Sequence, residues 1–200
     1  PTLRVAAEEL ERGFSGLSGH EVGRQDTIPA DSVVLAIART PEVAALALPV
    51  AALNEEGYLV RPVTLGGRRV TLVTGKTDRG VLYGAFALLR WAQTGHAVRT
   101  ATFSSSPATK LRDRKSNNVN AKADSLTAPY IAKAAALADV FRPYGIKVYL
   151  SARFSAPIEL GGLKTADPLD PQVAAWWRAK ADELYRAIPD FGGFLVKANS

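Results

Sequence analysis

The order of secondary-structure elements in the second half of the chain constrains the fold more than any other feature. Apolar spacing predicts a helix from about Pro129 to Phe141, with Ile131, Ala135, Leu137 and Val140 inward, and the run 146–151 indicates a strand. The segment 154–169 is rich in glycine and proline, which predicts a loop. A second helix begins at Asp170-Pro171, and the apolar run 192–200 follows it as a second strand. Two parallel strands joined through a helix form a right-handed βαβ unit. We therefore predict a parallel sheet in this half.

Polar residues lie at the predicted strand ends of this half, in the clusters 117–120, 151–154 and 197–200. The carboxyl ends of parallel strands meet at one edge of a sheet, and barrels built of βαβ units place their chemistry there. Side chains alternate along a strand, so Lys197 lies on the face opposite to Phe194. A lysine is costly to bury unless it is paired. The residues alone leave two interpretations open, a ligand-binding lysine or an edge strand in water.

The first half is predicted to form a separate α+β domain. An amphipathic helix over 2–17 is followed by an apolar strand at 33–38. Two β-rich runs flank Gly66-Gly67, which predicts a hairpin. A later helix carries Gly80 and Gly84 on one face, as expected where a helix approaches a sheet closely. We expect three or four strands with both main helices on one face of the sheet.

Domain boundaries follow from these patterns. The α+β domain covers residues 1–104, and the βα half covers 117–200. Residues 105–116 continue a serine-rich stretch into a basic cluster, which predicts a linker or a deletion junction.

Composition excludes several classes of function. The net charge of +6, from 25 basic and 19 acidic residues, is spread along the chain apart from 110–115, so we expect no nucleic-acid partner. Cysteine is absent, and neither His20 nor His96 has a ligand partner at helical spacing, so we expect no metal and no cofactor. No run approaches the roughly 18 apolar residues of a membrane span. A chain that begins at Pro1 and lacks methionine is expected to be a processed or excised piece.

Five segments carry a family resemblance. Residues 117–124, 149–157 and 192–200 closely resemble the α-glucuronidases of glycoside hydrolase family 67, and residues 56–61 and 77–84 resemble the amino-terminal domain of that family. The resemblance covers nearly the whole chain.

The resemblance implies an α+β amino-terminal domain followed by an incomplete (β/α)8 barrel segment. Family members release 4-O-methyl-D-glucuronic acid from xylo-oligosaccharides, with inversion and without a metal, so aldouronic acids and glucuronoxylan oligosaccharides are the expected substrates. Lys197 matches the lysine that contacts the glucuronate carboxylate, and Val119 matches a valine of the sugar pocket. Four further strand-end residues are candidates by position only, as substrate contacts or as loop anchors: Asn118, Asn120, Arg153 and Asn199.

Two departures from the family pattern matter. The general acid of the family follows the Lys-Ala-Asn-Ser motif directly, so it is expected immediately after Ser200, and the base lies further on. Asp124 and Glu159 are the carboxylates near strand-end loops, and neither matches a catalytic position. We therefore assign no catalytic residue and expect no hydrolysis by this chain. A family segment rich in tryptophan, asparagine and aspartate is missing near 112–117, which indicates an internal gap.

Alternative interpretations remain. Residues 1–104 could be a non-catalytic structural or carbohydrate-binding module, with Tyr58, Tyr83 and Trp91 as candidate stacking aromatics. A different barrel glycosidase, such as a β-hexosaminidase, would explain a similar amino-terminal domain, but the Lys-Ala-Asn-Ser strand end argues against it. The sequence leaves open a homodimer of the parent enzyme, the preference for 4-O-methylated substrate and the compartment, for which bacterial cytoplasm or periplasm is expected.

Overall fold

The computed structural model describes residues 1–106 and 126–197. These residues belong to two compact units, which divide between Lys110 and Leu111. Both units contain helices and a small sheet, in agreement with the mixed α and β class that the sequence predicts. Continuation of the second unit into a barrel stays a prediction.

A four-stranded sheet forms the centre of the first unit. Its strands run in the order β1-β3-β2-β4, with β1 parallel to β3 and the other neighbours antiparallel. A 3-10 turn precedes β4. The elements of this unit are α1 (Thr2–Ser18), β1 (Val33–Ile37), α2 (Pro41–Ala44), β2 (Tyr58–Leu65), β3 (Arg68–Gly75), α3 (Asp78–Gln93), the turn Val98–Thr100 and β4 (Phe103–Ser105).

The hairpin predicted around the two glycines joins β2 to β3. Leu65 pairs with Arg68, so Gly66 and Gly67 form a two-residue loop. Their φ angles are +57° and +76°. A two-residue hairpin loop of type I′ needs positive φ at both central positions, and glycine adopts positive φ without strain. The Gly-Gly pair therefore sets the register of the hairpin.

Helix α3 lies directly on the sheet because two of its residues lack a side chain. The Thr77 hydroxyl accepts a hydrogen bond from the Gly80 N–H at 3.2 Å and caps the helix, as its position predicts. A Cβ atom at Gly80 would collide with the carbonyl oxygen of Gly57. One at Gly84 would lie 2.6 Å from Cγ1 of Val73. The predicted close approach of helix and sheet is thus confirmed.

Apolar residues of α1, α3 and the strands form one core on this face of the sheet. Val60, Val73, Val81 and Leu88 are fully buried, and Phe14 of α1 packs against them. Helix α1 also packs against α3. Both main helices therefore cover the same face, as the amphipathic patterns predict.

The second unit contains a parallel pair of strands with helices before and between them. Strands β5 and β6 pair in parallel from Tyr149 with Gly193 to Arg153 with Lys197. A 3-10 turn follows the first helix. The elements are α4 (Ala128–Phe141), the turn Arg142–Tyr144, β5 (Tyr149–Arg153), α5 (Ala156–Glu159), α6 (Pro171–Ala187) and β6 (Gly193–Lys197). The predicted βαβ order is confirmed.

Strand β5 and the segment that follows it differ from the prediction. Strand β5 begins at Tyr149 rather than at residue 146, because the Ile146 N–H still donates to the Phe141 carbonyl and is not available for pairing. Ser151, predicted to lie at the strand end, is a buried residue in the middle of β5. The segment 154–169, predicted to be a loop, contains α5 with Pro157 in its first turn.

The core of the second unit lies between the strands and the helices α4 and α6. Leu150 of β5 and Phe194 of β6 pack with Ile131 and Leu184. Val140 of α4 was predicted to face inward but is 60% exposed. Helix α4 is apolar nearly all round, so residue spacing does not identify the stripe that packs, which is formed by Ile131, Ala134 and Ala138.

An ion-pair network joins α4 to the segment before β6, near the amino-terminal ends of the strands. Arg142 donates through Nε and Nη2 to the two carboxylate oxygens of Asp190, at 3.0 and 2.8 Å, and through Nη1 to Asp139. The hydrogen bonds from Arg142 hold the pKa of Asp190 below its usual 3.8. The ionised carboxylate is therefore favoured in the folded unit.

The close approach of α3 to the sheet predicts that a glycine-to-alanine substitution has opposite effects on stability at Gly84 and at Gly16. Gly84→Ala should destabilise the chain by about 1–3 kcal/mol, because the new methyl group collides with Val73. Gly16→Ala, in α1 with no atom within 4 Å of the added Cβ, should stabilise it by up to about 1 kcal/mol. Urea unfolding of both variants measures this. Equal effects at the two positions would contradict the packing described.

The Arg142–Asp190 pair predicts a pH-dependent contribution to stability. A carboxyl with a depressed pKa stabilises the fold above its unfolded value of about 3.8, and the contribution disappears as the pH falls through the folded pKa. Asp190→Asn should therefore lower Tm at pH 7 by on the order of 2 °C, since exposed pairs contribute little. The difference should vanish as the pH falls well below 3.8. A difference that persists in strong acid would contradict the ion-pair explanation.

Candidate functional site

The carboxyl ends of β5 and β6 lie side by side, because the two strands are parallel and in register. Arg153 is the register partner of Lys197, so two of the predicted site residues end neighbouring strands. Adjacent strands are about 4.8 Å apart. For Lys197, the structure describes the position of the backbone.

These two positions share the face of the strands that points away from α4 and α6. Leu150 and Ala152 of β5 and Phe194 of β6 belong to the core formed with the helices. Alternate residues of a strand occupy opposite faces, so Arg153 and Lys197 occupy the other face. The geometry thus brings together two cationic residue types where a parallel sheet commonly binds its ligands.

Glu159 lies within reach of Arg153. Nη1 of Arg153 is 3.8 Å from Oε1 of Glu159, and both side chains are partly exposed. Oε1 of Glu159 also accepts a hydrogen bond of 2.6 Å from the Ser155 hydroxyl. Ser155 directly precedes α5 and Glu159 ends it, so one helical turn separates them. No described residue accepts a hydrogen bond from the Arg153 guanidinium.

Exposed apolar side chains accompany this charged group. Phe154, between Arg153 and Ser155 in sequence, is 40% exposed, and Ile158 of α5 is 43% exposed. An aromatic ring offers a large apolar surface beside polar groups. The end of β5 therefore presents both charge and apolar area to solvent.

The other carboxylates whose contacts are described in the second unit are engaged elsewhere. Glu159 is the one placed beside the carboxyl end of β5. The remaining ones accept hydrogen bonds in turns, caps and ion pairs: Asp139 and Asp190 from Arg142, Asp167 from the Leu169 N–H, Asp170 from the Gln172 N–H and Glu183 from Lys180. None of these contacts places a second carboxylate opposite Glu159.

Asn118, Val119, Asn120 and Asn199 lie outside the described residues, as does Asp124. Residues 1–106 and 126–197 contain no group of three histidine, cysteine or carboxylate side chains that could hold a metal ion. Among the helices in these ranges, none is long and apolar enough to cross a membrane.

The first unit contains a cleft between α1 and the segment 22–35. Its volume is about 630 Å³, and apolar side chains such as Leu3, Leu10 and Phe14 line it. The candidate stacking residues Tyr58, Tyr83 and Trp91 do not line this cleft.

Trp91 belongs to an aromatic cluster. Its ring centroid is 4.3 Å from that of His96 and 5.2 Å from that of Phe103. The angles between the ring planes are 33° and 35°. Its Nε1 donates to the Ala97 carbonyl at 3.2 Å. Trp91 therefore packs within the unit, as its late position on the helix indicates, rather than lining the cleft.

The sequence pattern does not predict the contact of Ser155 with Glu159, because the glycines and prolines of 154–169 are typical of a loop. The signal for it is a proline at the start of a turn with serine two residues before and glutamate two residues after. Pro157 is favoured in the first turn of a helix. Residues four apart lie on the same side of a helical turn, so this spacing brings Ser155 and Glu159 together.

Family models match both parts of the chain. The model described as "Glycosyl hydrolase family 67 N-terminus" matches residues 1–88, and "Glycosyl hydrolase family 67 middle domain" matches residues 86–200. These matches define the class, a glycoside hydrolase. More narrowly, the chain belongs to glycoside hydrolase family 67, which confirms the resemblance noted from its motifs.

Curated relatives agree with this membership. "Alpha-glucuronidase A" of Emericella nidulans is 32% identical over 256 residues, which cover 99% of this chain and 30% of the relative. "Alpha-glucuronidase" of Hypocrea jecorina is 30% identical over 258 residues, with 99% and 30% covered. "Probable alpha-glucuronidase A" of Aspergillus clavatus is 54% identical over 84 residues, with 42% and 10% covered. The chain spans about 30% of the length of its full-span relatives.

The full-span alignments are longer than the chain itself. They extend over 256 and 258 residues, whereas this chain has 200. The relatives therefore carry additional residues within the matched region, which agrees with an internal gap. The junction predicted near 112–117 lies outside the described residues.

One solved structure supports the fold. A GH138 enzyme targeting pectin rhamnogalacturonan II matches with a TM-score of 0.58 and 16% identity, covering 98% of this chain and 29% of that chain. At this identity the likeness concerns the fold alone.

Proposed function

We propose that this chain is part of an α-glucuronidase, which hydrolyses the α-1,2 bond of (4-O-methyl-)D-glucuronic acid on xylo-oligosaccharides by an inverting acid/base mechanism. The observation that carries the proposal is the register of Arg153 with Lys197 at the carboxyl ends of β5 and β6. The names of the family 67 relatives support the same activity.

A carboxylate is the group that distinguishes a uronic acid from a neutral hexose. Lysine offers a compact positive charge, and arginine offers a planar fork that matches the two oxygens of a carboxylate. Charge-assisted hydrogen bonds of this kind are roughly twice as strong as neutral ones. Two cationic residues on neighbouring strand ends therefore suit a sugar acid better than a neutral sugar.

The second unit also supports an incomplete (β/α)8 barrel. Helices α4 and α6 cover the face of Leu150 and Phe194, whereas the positions of Arg153 and Lys197 lie on the other face of the strands. A parallel barrel needs this division, since the helices surround the strands and the inner face borders the site. Asn118, Val119, Asn120 and Asn199 stay candidate substrate contacts on the basis of the resemblance and of their positions.

Hydrolysis needs groups that the described residues do not supply. Inverting glycosidases hold two carboxyl groups roughly 6.5–9.5 Å apart with a water between them. Glu159 is the one carboxylate that we find beside a described strand end. By the resemblance, the general acid is expected immediately after Ser200. We therefore propose that residues 1–200 bind the sugar acid without cleaving it.

The competing function is a non-catalytic module in the first unit. An open pocket lined by aromatic side chains would support this function. The cleft beside α1 has Phe14 as its aromatic lining residue, and Trp91 packs elsewhere. No described feature of the first unit therefore favours sugar binding over the strand ends of the second.

Binding by the chain itself tests the proposal. NMR titration of the labelled chain with 4-O-methyl-D-glucuronate should shift amides at 149–155 and 193–197, while methyl glucoside should not. Lys197→Gln should weaken uronate binding about tenfold, since a charge-assisted hydrogen bond is lost. Lys133→Gln, on α4, is the matched control and should bind as the unsubstituted chain does.

Three outcomes would contradict parts of this proposal. Equal shifts with the neutral glucoside would remove the role of the carboxylate. Shifts confined to residues of the first unit would favour the non-catalytic module. Release of 4-O-methylglucuronate from an aldouronic acid by this chain would show that the catalytic carboxylates lie within it.

A further inference from the structure

We propose that Glu159 and Ser155 are positioning residues that orient the guanidinium of Arg153 toward the carboxylate of a uronic acid, which makes Arg153 a determinant of specificity alongside Lys197. This inference rests on the proposed function, because it concerns the same strand-end site. It assigns a role to the contacts of Glu159 with Ser155 and Arg153, which the acid/base mechanism does not explain.

The first step is the state of Arg153. Its side chain ends β5, is half exposed, and has one partner among the described residues, the ion pair of 3.8 Å with Glu159. That separation is too long for a hydrogen bond. Glu159 therefore attracts the guanidinium without accepting its N–H groups, and the donors stay available to a ligand.

The second step is what holds Glu159. Its Oε1 accepts the Ser155 hydroxyl at 2.6 Å, and this same oxygen is the one nearest to Arg153. Both residues belong to the single turn around α5, where Pro157 limits the backbone. The Ser155 hydroxyl therefore holds the Glu159 carboxylate in place, and this carboxylate orients the guanidinium of Arg153.

The third step concerns charge. Arg153 and Lys197 carry two positive charges at neighbouring strand ends, and Glu159 cancels one of them. The positive charge that remains still attracts a carboxylate, and a loss of affinity on removal of Glu159 therefore reports on the orientation of Arg153 rather than on net charge. A site of this kind favours a singly charged sugar acid over a neutral sugar, because electrostatic complementarity gives specificity more than raw affinity.

The fourth step separates this role from a structural one. The Arg153 and Glu159 side chains are 50% and 36% exposed. Exposed ion pairs contribute little to stability because water and salt screen them. Removing the pair should therefore leave the fold intact, so that a change in affinity reports on ligand binding rather than on unfolding.

The test is a double-mutant cycle on the 200-residue chain, with D-glucuronate as the probe and methyl glucoside as the neutral comparison. Arg153→Gln should weaken glucuronate binding about tenfold. Glu159→Gln and Ser155→Ala should each weaken it about threefold, and Glu159→Asp should recover part of the loss. In the Arg153→Gln background, Glu159→Gln should have no further effect, because Glu159 acts through Arg153.

A matched control comes from another helix of the same unit. Glu183→Gln breaks the 2.7 Å pair with Lys180 on α6 and should leave binding unchanged. Thermal unfolding of each variant should stay within about 2 °C of the unsubstituted chain, as expected for exposed pairs.

Each opposite result overturns a defined claim. Tighter glucuronate binding by Glu159→Gln would show that Glu159 competes with the ligand for Arg153. An undiminished effect of Glu159→Gln in the Arg153→Gln background would show that Glu159 acts independently. Unchanged binding by Glu159→Gln would refute the positioning role alone, with the proposed function standing. No glucuronate binding by the unsubstituted chain would overturn both proposals.

Discussion

The parallel register between β5 and β6 is the constraint on which the candidate site depends. It places Arg153 beside Lys197, two residues that are 44 positions apart in sequence. A shift of one residue would move every side chain of β6 to the other face and would remove Phe194 from the core. The same burial that holds α4 and α6 against the strands therefore also determines which residues lie on the opposite face.

In the first unit, the arrangement of helix and sheet depends on the close approach of backbone atoms. Gly80 and Gly84 let α3 lie against β2 and β3, and the Gly66-Gly67 loop determines how those strands pair. These are backbone requirements that few other residues satisfy. The large apolar side chains on this face of the sheet pack against the two helices.

Much of this architecture could be predicted from residue patterns. Helix α1 and the hairpin follow from local spacing and turn chemistry, because an amphipathic stripe or a Gly-Gly loop needs no distant partner to be recognised. The family 67 membership follows from long motifs. Helix α4 could not be oriented, since residues such as Val140 are as apolar as those that pack. The short helix α5 was missed because one turn gives no periodic signal.

What the sequence by itself determined is the order and the type of the longer elements, together with the cationic residues at the strand ends. These depend on neighbours within a few positions. Only the tertiary structure decided the face that α4 buries, the pairing of Arg153 with Lys197, and the contacts of Glu159 with Ser155 and Arg153. Such facts depend on register and on side-chain direction, which arise when distant segments pack and bury their apolar surface together.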